Sequence, residues 1–298
     1  MSAIVVVGSL NMDLVFRVAR APEAGETIAG RGFTTAGGGK GANQAIACAR
    51  MGGTVAMVGC VGADDFGEAL RAGLIADRVD ASFVSREAGA ASGVAMVMVD
   101  DAAQNRIVIA PGANALLSPA KVEAARTALA RAKIAVLQLE TPMESVVRAA
   151  ELARAADARV VLNPAPAQSL PDALWPLIDD LVPNETEASI LTGVEVVDPA
   201  TAREAARILL ARGVRRILIT LGAQGVLIAG AGEMRHLPAE RVRAIDTTAA
   251  GDTFIGAYAA ALAEGAAAMA AADLGRRASA LCVTRAGAQP SIPRRGEV

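Results

Sequence analysis

Apolar residues along the chain fall into short continuous runs, separated by longer stretches with helical spacing. The segment 3–8, AIVVVG, is an unbroken β-branched run that predicts a strand buried on both faces. Residues 40–52 predict a helix, 54–62 a strand and 64–79 an amphipathic helix. The alternation continues through helix 118–132, strand 133–140, helix 142–157 and strand 159–164. A short strand runs into a helix across 179–193, followed by helix 198–213 and strand 215–222. Ser118 before Pro119, and Asp198 before Pro199, supply N-cap and first-turn signals for two of the helices. Strands alternating with helices of this length predict right-handed βαβ units, and so an α/β fold around a mostly parallel sheet.

Two regions, 13–36 and 91–110, break the alternation. They hold strand-like runs at 13–18, 26–36, 92–100 and 106–111 with no helix between them. These fit either edge strands of the main sheet or a small separate sheet inserted at two places, which would act as a lid. The run VAMVMV is too apolar for a sheet with one face in water, so the lid reading brings a partner with it: a second lid, packed on the first in a two-fold homodimer. Internal repeats and low-complexity linkers are absent, and 1–298 reads as one domain.

Composition excludes several functions. Lys plus Arg number 29 and Asp plus Glu 31, a net charge of −2. That balance gives no electrostatic case for nucleic acid or an anionic membrane. An apolar content of 53% argues against disorder. Cys48, Cys60 and Cys282 are odd in number and far apart, and no CxxC pair exists, so they read as reduced, buried thiols. His236 is the only histidine and falls in the loop-like stretch GEMRHLP, a weak basis for histidine-dependent nucleophilic catalysis. The Ala-rich segment 254–272 contains Glu264 and two glycines, which favours a packed helix over a membrane span. With no signal-peptide pattern at the N-terminus, the expected location is cytoplasmic.

Candidate chemistry gathers where strands end. In open α/β sheets ligands sit beyond the carboxyl ends of the strands, and GSLNMD, QLET, NPAPA, PNETE and TLGAQG all follow predicted strands. The stretch AGGGKGANQA (36–45) is not a Walker A loop, because Thr34 stands where glycine is needed and Gly41 where Ser or Thr is needed. Gly37, Gly39 and Ala42 fit a loose G-x-G-x-x-A, and alone they equally fit a turn capping the next helix. In a binding role the glycines would let backbone N–H groups approach a ligand, with Lys40 and Asn43 as side-chain donors. Lys40 is one of only three lysines. In DTTAAGDTF (246–254), the small residues Ala249, Ala250 and Gly251 let backbone N–H groups converge at a helix start, a site for anionic charge such as a phosphoryl group. Asp252 would oppose an anion there unless it takes a proton from an incoming hydroxyl. Alone, it equally fits a helix-capping or first-turn acid.

The segments GGGKGANQA, NPAPA, PNETEAS, TLGAQG, DTTAAGDTF and TRAGAQPSIP occur in this order across residues 3–293, and together they resemble the ribokinase-like family of carbohydrate kinases. The resemblance implies a three-layer α-β-α fold with a β-sheet lid and transfer of the γ-phosphoryl group of ATP to the 5-hydroxyl of D-ribose. Alternatives are another small sugar or a nucleoside as acceptor, or a non-catalytic sugar- or nucleotide-binding regulator on the same fold. It implies Asp252 as catalytic base, with Ala249, Ala250 and Gly251 completing an anion hole. Asn11, Asp13, Gly39, Lys40, Gly41, Ala42, Asn43 and Glu140 fall at sugar-binding positions. Asn184 and Glu187 form an N-x-x-E motif that organises Mg²⁺ and phosphate through water. Thr220, Leu221, Gly222, Ala223, Gln224 and Gly225 form the nucleotide loop, with Gly251 and Arg276 also at the ATP. The Asp246 side chain, with the backbone at Thr248, Cys282, Arg285, Gly287 and Ser291, matches a site for activating K⁺. Gly37, Thr248 and Arg276 depart from the residues often found at their positions, and Gly37 bears on packing beside the sugar loop.

Overall fold

The run Ile4–Val7 is buried on both faces: Ile4 and Val6 enter one hydrophobic core, Val5 and Val7 the other. This alternation places the first strand at the centre of the molecule. The computed structural model describes residues 3–102, 104–230 and 232–298. Among them the chain runs through β1 (Ile4–Val7), β2 (Asn11–Arg17), β3 (Gly32–Gly38), α1 (Lys40–Arg50), β4 (Val55–Gly62), α2 (Asp65–Ala76) and β5 (Asp80–Glu87). It continues through β6 (Gly93–Val99), β7 (Asn105–Ala110), α3 (Pro119–Ala124), α4 (Arg126–Leu129), β8 (Ile134–Leu137), α5 (Met143–Ala155) and β9 (Arg159–Leu162). The remaining elements are β10 (Asp180–Leu181), α6 (Glu185–Thr192), α7 (Pro199–Ala211), β11 (Arg216–Thr220), β12 (Val226–Gly230), β13 (Glu233–Leu237), α8 (Ala250–Ala263) and α9 (Ala268–Cys282).

The central sheet has the order β13-β12-β11-β10-β9-β8-β1-β4-β5. It is parallel from β11 to β5, and only the β11–β12 and β12–β13 pairs are antiparallel. One core packs α1, α8 and α9 on one face; the other packs α5 and α7 on the opposite face. The result is a three-layer α-β-α arrangement. The two helix-free regions form a separate four-stranded sheet, β3-β2-β6-β7, rather than edges of the main one. Its β2–β6 pair is parallel and its outer pairs are antiparallel.

Several expectations are corrected. The single helix over 118–132 breaks at Ala125, which ends α3 and precedes α4. The strand over 133–140 stops at Leu137, leaving Gln138–Glu140 free to turn toward the sheet's edge. The strand-like run 26–36 pairs only from Gly32 onward. The Ala-rich stretch 254–272 is two helices, interrupted around Gly265, whose φ is +95°. His236 lies on β13 rather than in a loop, and β5, β12 and β13 are strands that the pattern did not reveal.

One helix pair sets the spacing of groups at the carboxyl edge of the sheet. A Cβ on Gly256 of α8 would overlap Ala47 of α1 and lie 2.8 Å from the Cys48 nitrogen. The two helices therefore touch almost backbone to backbone. Ala47 is four residues beyond Asn43, and Gly256 four beyond Asp252, so the N-terminal turns of both helices face each other one turn away. Gly256→Ala separates two effects of opposite sign. Helix propensity favours alanine by about 1 kcal/mol, whereas overpacking costs about 1–3 kcal/mol. A fall of a few degrees in Tm on thermal unfolding is expected; an unchanged or higher Tm would show that this contact does not set the helix spacing.

Candidate active site

The polar clusters noted in the sequence converge because the strands preceding them are neighbours. The strands β1, β8, β9, β10 and β11 lie side by side and parallel, so their carboxyl ends share one edge. Beyond that edge lies a cleft of ≈ 190 Å³ lined by Lys40, Asn163, Asn184, Glu187, Thr220 and the turn Ala249–Asp252, together with Val182, Thr247 and Ile255. A second cleft of ≈ 240 Å³ is lined by Arg154, Arg159, Arg215, Arg216, Asp157 and Asp179. Its guanidinium groups are already bound to the carboxylates of Asp179 and Asp180. It offers no acid or base poised for a substrate, and the first cleft is the candidate site.

The glycine run brings main chain against main chain. Gly39 caps α1 at φ +85°, and a Cβ there would lie 2.6 Å from the Asn11 nitrogen. A Cβ on Gly41 would lie 2.6 Å from the Ser9 nitrogen, and one on Gly38 would overlap the Asp13 carboxylate. Asn11 and Asp13 on β2 are thereby held against the start of α1. Asn114 fixes the Asn11 side chain by donating to its Oδ1 at 2.8 Å. Glu140 closes the group, accepting from Ser9 Oγ at 2.5 Å and from the Lys40 N–H at 3.1 Å. Burial pushes the Asp13 pKa up to about 7, helped by the negative charges of Glu140 and Asp252. Burial disfavours the Lys40 cation, but Asp252, Glu140 and Glu187 outweigh it and hold the ammonium pKa above its usual value. Ala42 and Asn43 follow on α1, both buried. Gly37, the departure beside this loop, has its missing side chain replaced by Gln289, whose Oε1 lies 2.5 Å from where a Cβ would stand.

Asp252 is not a helix cap. The N-cap of α8 is Ala249, in the left-handed region at φ 59° and with no side-chain capping bond. Asp252 is buried in the first turn, where its Oδ2 accepts from Asn43 Nδ2 and its Oδ1 from Gln44 Nε2, both at 2.9 Å. Among the hole residues, the Ala250 N–H is partly committed to the Thr247 carbonyl at 3.2 Å. First-turn N–H groups such as those of Gly251 and Asp252 have no intrahelical acceptor. A carboxylate thus stands beside open donors at the positive end of a helix.

The N-x-x-E pair is both structural and presented to the cleft. Asn184 caps α6 by accepting from the Glu187 N–H at 2.8 Å, and Glu187 accepts from the Asn184 N–H at 3.0 Å, a reciprocal capping box. Burial pushes the Glu187 pKa up, against the opposing pull of the Asn184 N–H and Lys40. Both Glu187 oxygens already accept protein N–H groups, and among the described residues no group of three His, Cys, Asp or Glu side chains could hold a metal. The donor set therefore suits Mg²⁺ reached through its own waters. Thr220 bridges to Asn184 across the sheet edge, which carries Leu221 to Gly225, expected from the sequence to form a nucleotide loop, to the same end. Gly222 and Gly225 both have positive φ there.

The loop expected from the sequence to hold a cation is tied to the start of α8. The Asp246 carboxylate accepts from the N–H groups of Thr248 at 2.9 Å and Gly287 at 2.8 Å, which hold its pKa low despite partial burial. The Cys282 thiol lies 3.1 Å from Ser291 Oγ and 3.8 Å from the Thr248 carbonyl, while the Arg285 N–H donates to the Cys282 carbonyl at 3.0 Å. Both Asp246 oxygens thus already accept main-chain N–H groups, one from each side of the loop pair. Arg276 is not in the cleft lining, and its guanidinium binds Asp273 and Glu240. His236 also lies away from the lining, with Nε2 2.6 Å from the Gln224 carbonyl. Sequence reasoning did not single out Gln44, Asn114, Gln138 or Asn163. All four are buried amides, and three lie within motifs noted at strand ends or in the glycine loop.

A ribokinase of Haemophilus influenzae is 43% identical over 292 residues, covering 98% of this chain and 95% of its own. A deoxyribokinase of Salmonella typhi is 39% identical over 257 residues, covering 86% and 84%. The structure of an Arabidopsis thaliana ribokinase complexed with ribose and ATP superposes with a TM-score of 0.90 at 33% identity, covering 99% of this chain and 96% of the other. The sequence description of the pfkB family carbohydrate kinase matches residues 1–295, nearly the whole length over which the sheet, the glycine loop and the α8 turn build the cleft. The chain belongs to the pfkB family of carbohydrate kinases.

Proposed function

We propose that the chain transfers the γ-phosphoryl group of ATP to the 5-hydroxyl of D-ribose, giving D-ribose 5-phosphate and ADP. The observation that carries this reading is Asp252, a buried carboxylate held between two amide donors beside the open N–H groups of the α8 turn. In this reading the sugar hydroxyl gives its proton to Asp252 as its oxygen attacks the γ-phosphorus and the bond to the ADP oxygen breaks. Charge on the transferring group meets the N–H groups of Gly251 and its neighbours, and Lys40 adds a cation whose protonation the surrounding carboxylates enforce. Asn184 and Glu187 would hold Mg²⁺ through water, where it neutralises phosphate charge. Asn11, Asp13, Glu140 and the loop Gly39–Asn43 supply the mixed donors and acceptors that a furanose with several hydroxyls requires. Residues 220–225 and 251 would take the nucleotide. Arg276, bound to Asp273 and Glu240 and outside the cleft lining, has no contact with the nucleotide in this reading. A purely regulatory binder would need neither the base nor the open helix end. Three buried free thiols and ATP as substrate fit a cytoplasmic location.

Relatives acting on ribose and on deoxyribose are of similar identity, so the acceptor is decided by ADP release from purified protein against pentoses, hexoses and nucleosides. Ribose is expected to give the highest kcat/KM, and release with none of them would overturn the kinase reading. Asp252→Asn is expected to lower turnover by about 10²–10⁴, with ribose binding retained in calorimetry because Asn keeps the volume. Near-wild-type turnover would reduce Asp252 to a structural residue.

We read the loop from Asp246 to Ser291 as a K⁺ site that orders the anion hole without touching substrate. The support is the bond from Gly287 to Asp246, four residues before α8. Turnover is expected to rise severalfold when K⁺ replaces Na⁺ at constant ionic strength. Equal rates in K⁺, Na⁺ and a large organic cation would remove the idea.

We read the small sheet as a lid over the sugar and as a dimer interface. Its edge strand β7 is exposed throughout, with Ile107 at 54% and Ile109 at 47% on one face and Val108 at 60% on the other, and Phe33, 54% exposed, lies on the Val108 face of the opposite edge strand β3. Exposed apolar side chains on both faces of the sheet, with an unpaired edge at β7, are what a second copy of the sheet would cover. Sedimentation at micromolar protein with ribose present is expected to show a dimer; a monomer would count against it.

A further inference from the structure

Beneath Asp252 runs a row of buried side-chain amides. Gln44, on α1 next to Asn43, is fully buried, and its Nε2 donates to Asp252 Oδ1 at 2.9 Å and to Asn163 Oδ1 at 3.2 Å. Gln44 Oε1 accepts from Gln138 Nε2 at 2.6 Å. Asn163 Nδ2 donates to the Val182 carbonyl at 3.0 Å and reaches Glu187 Oε2 at 3.4 Å. The two ends of an amide are nearly identical in shape, so its partners decide which end points where. Here the decision begins at a main-chain carbonyl, which can only accept. Val182 requires the NH₂ end of Asn163, which turns the Asn163 oxygen toward Gln44. That oxygen requires the NH₂ end of Gln44, and the same NH₂ group meets Asp252. The other Asp252 oxygen faces the Asn43 amide. The polarity of the row is thus set by the backbone of the strand β10 end and delivered, two amides later, to the carboxylate.

We propose that Gln44, oriented by Asn163, is a positioning residue for phosphoryl transfer. It fixes the rotamer in which Asp252 presents its lone pair to the sugar hydroxyl, and through Asn163 it registers the base against the Glu187 side of the cleft. The proposal rests on the reading of Asp252 as base. A 1 Å misplacement of a reacting group costs about a hundredfold in rate, so holding the carboxylate matters to kcat and little to sugar affinity.

Gln44→Met keeps the length of the side chain and removes the donor. It is expected to lower kcat by about tenfold to a hundredfold, with KM for ribose and ATP and the calorimetric ribose affinity within about twofold. Gln44→Glu, which turns an acceptor toward Asp252, is expected to lose at least as much. In the Asp252→Asn background Gln44→Met should change the residual turnover by less than about twofold, because no base remains to orient. Unchanged kcat in the single variant, or a second tenfold loss in the Asp252→Asn background, would overturn the proposal. A separate arm needs no activity and no Gln44 variant. In ¹⁵N NMR of the wild type, the Gln44 carboxamide protons are expected to exchange slowly with solvent and to shift on Asp252→Asn. Fast-exchanging protons that ignore that substitution would overturn the row even in an active kinase. Conversely, slow, Asp252-sensitive protons in a protein that phosphorylates no sugar would uphold the row and sink the kinase reading alone.

Discussion

A buried carboxylate must be given hydrogen bonds, and this requirement at Asp252 organises the molecule around it. An ionised group left unpaired in the interior costs several kcal/mol, while each hydrogen bond to a charged group returns about 1.5–3 kcal/mol. Two such bonds are of the right size to hold Asp252 inside, and both donors, Asn43 and Gln44, come from α1. They reach it only because Gly256 and Ala47 let α8 and α1 approach to backbone contact. A side chain larger than hydrogen at 256 would enlarge that spacing, and the amides would fall short. The hydrogen bonding of Asp252 thus depends on a glycine one helical turn away.

The same logic explains why the glycine loop must be bare. Gly38, Gly39 and Gly41 are each pressed against another stretch of backbone or against Asp13. They bring β2, the first strand of the small sheet, to the start of the helix that supports Asp252. Asn11 and Asp13 on β2 and Asp252 on α8 are therefore joined by α1 rather than by a flexible connection. The cost of this crowding of carboxylates is electrostatic: burial and its acidic neighbours raise Asp13, and the one lysine among them is held protonated.

Legibility in the sequence followed the range of the interaction. Strands such as 3–8 and 54–62 were plain because burial on both faces writes itself as an unbroken apolar run. The clusters at strand ends were legible for the same reason, since a parallel sheet forces its loops to one edge. The segment Glu233–Leu237, with its mixed polar pattern, looked like loop, because its strand character comes from pairing with β12 at the sheet's edge and not from its own composition. The break at Ala125 was equally invisible, since nothing in its side chain differs from its neighbours. Within the cleft, Asp252 and Lys40 stood out as charges among small residues. Gln44, Gln138 and Asn163 did not, because an amide acquires meaning only from the partners that orient it, and the bonds that join these amides to one another and to Asp252 span 94 to 208 residues of sequence.

A charged side chain carries the same integration to the far side of α1. Arg50, at the other end of that helix, is mostly buried, and it forks onto Asp77 at 2.7 and 2.9 Å. Its remaining nitrogen donates to the carbonyls of Gln289 and Ile292 at 2.6 and 2.8 Å. These carbonyls flank Ser291 in the loop that also carries Gly287 and its bond to Asp246. Lysine, with a single ammonium at this point, could not satisfy a planar carboxylate and two diverging carbonyls together. The first turn of α1 thus supports Asp252 and its last turn supports the loop that braces the start of α8. Both ends of one eleven-residue helix act on the same turn, Ala249–Asp252, from opposite directions. The loop 282–291 is joined to the region of Asp252 by two chains of contact: directly through Asp246, and around through Arg50 and α1.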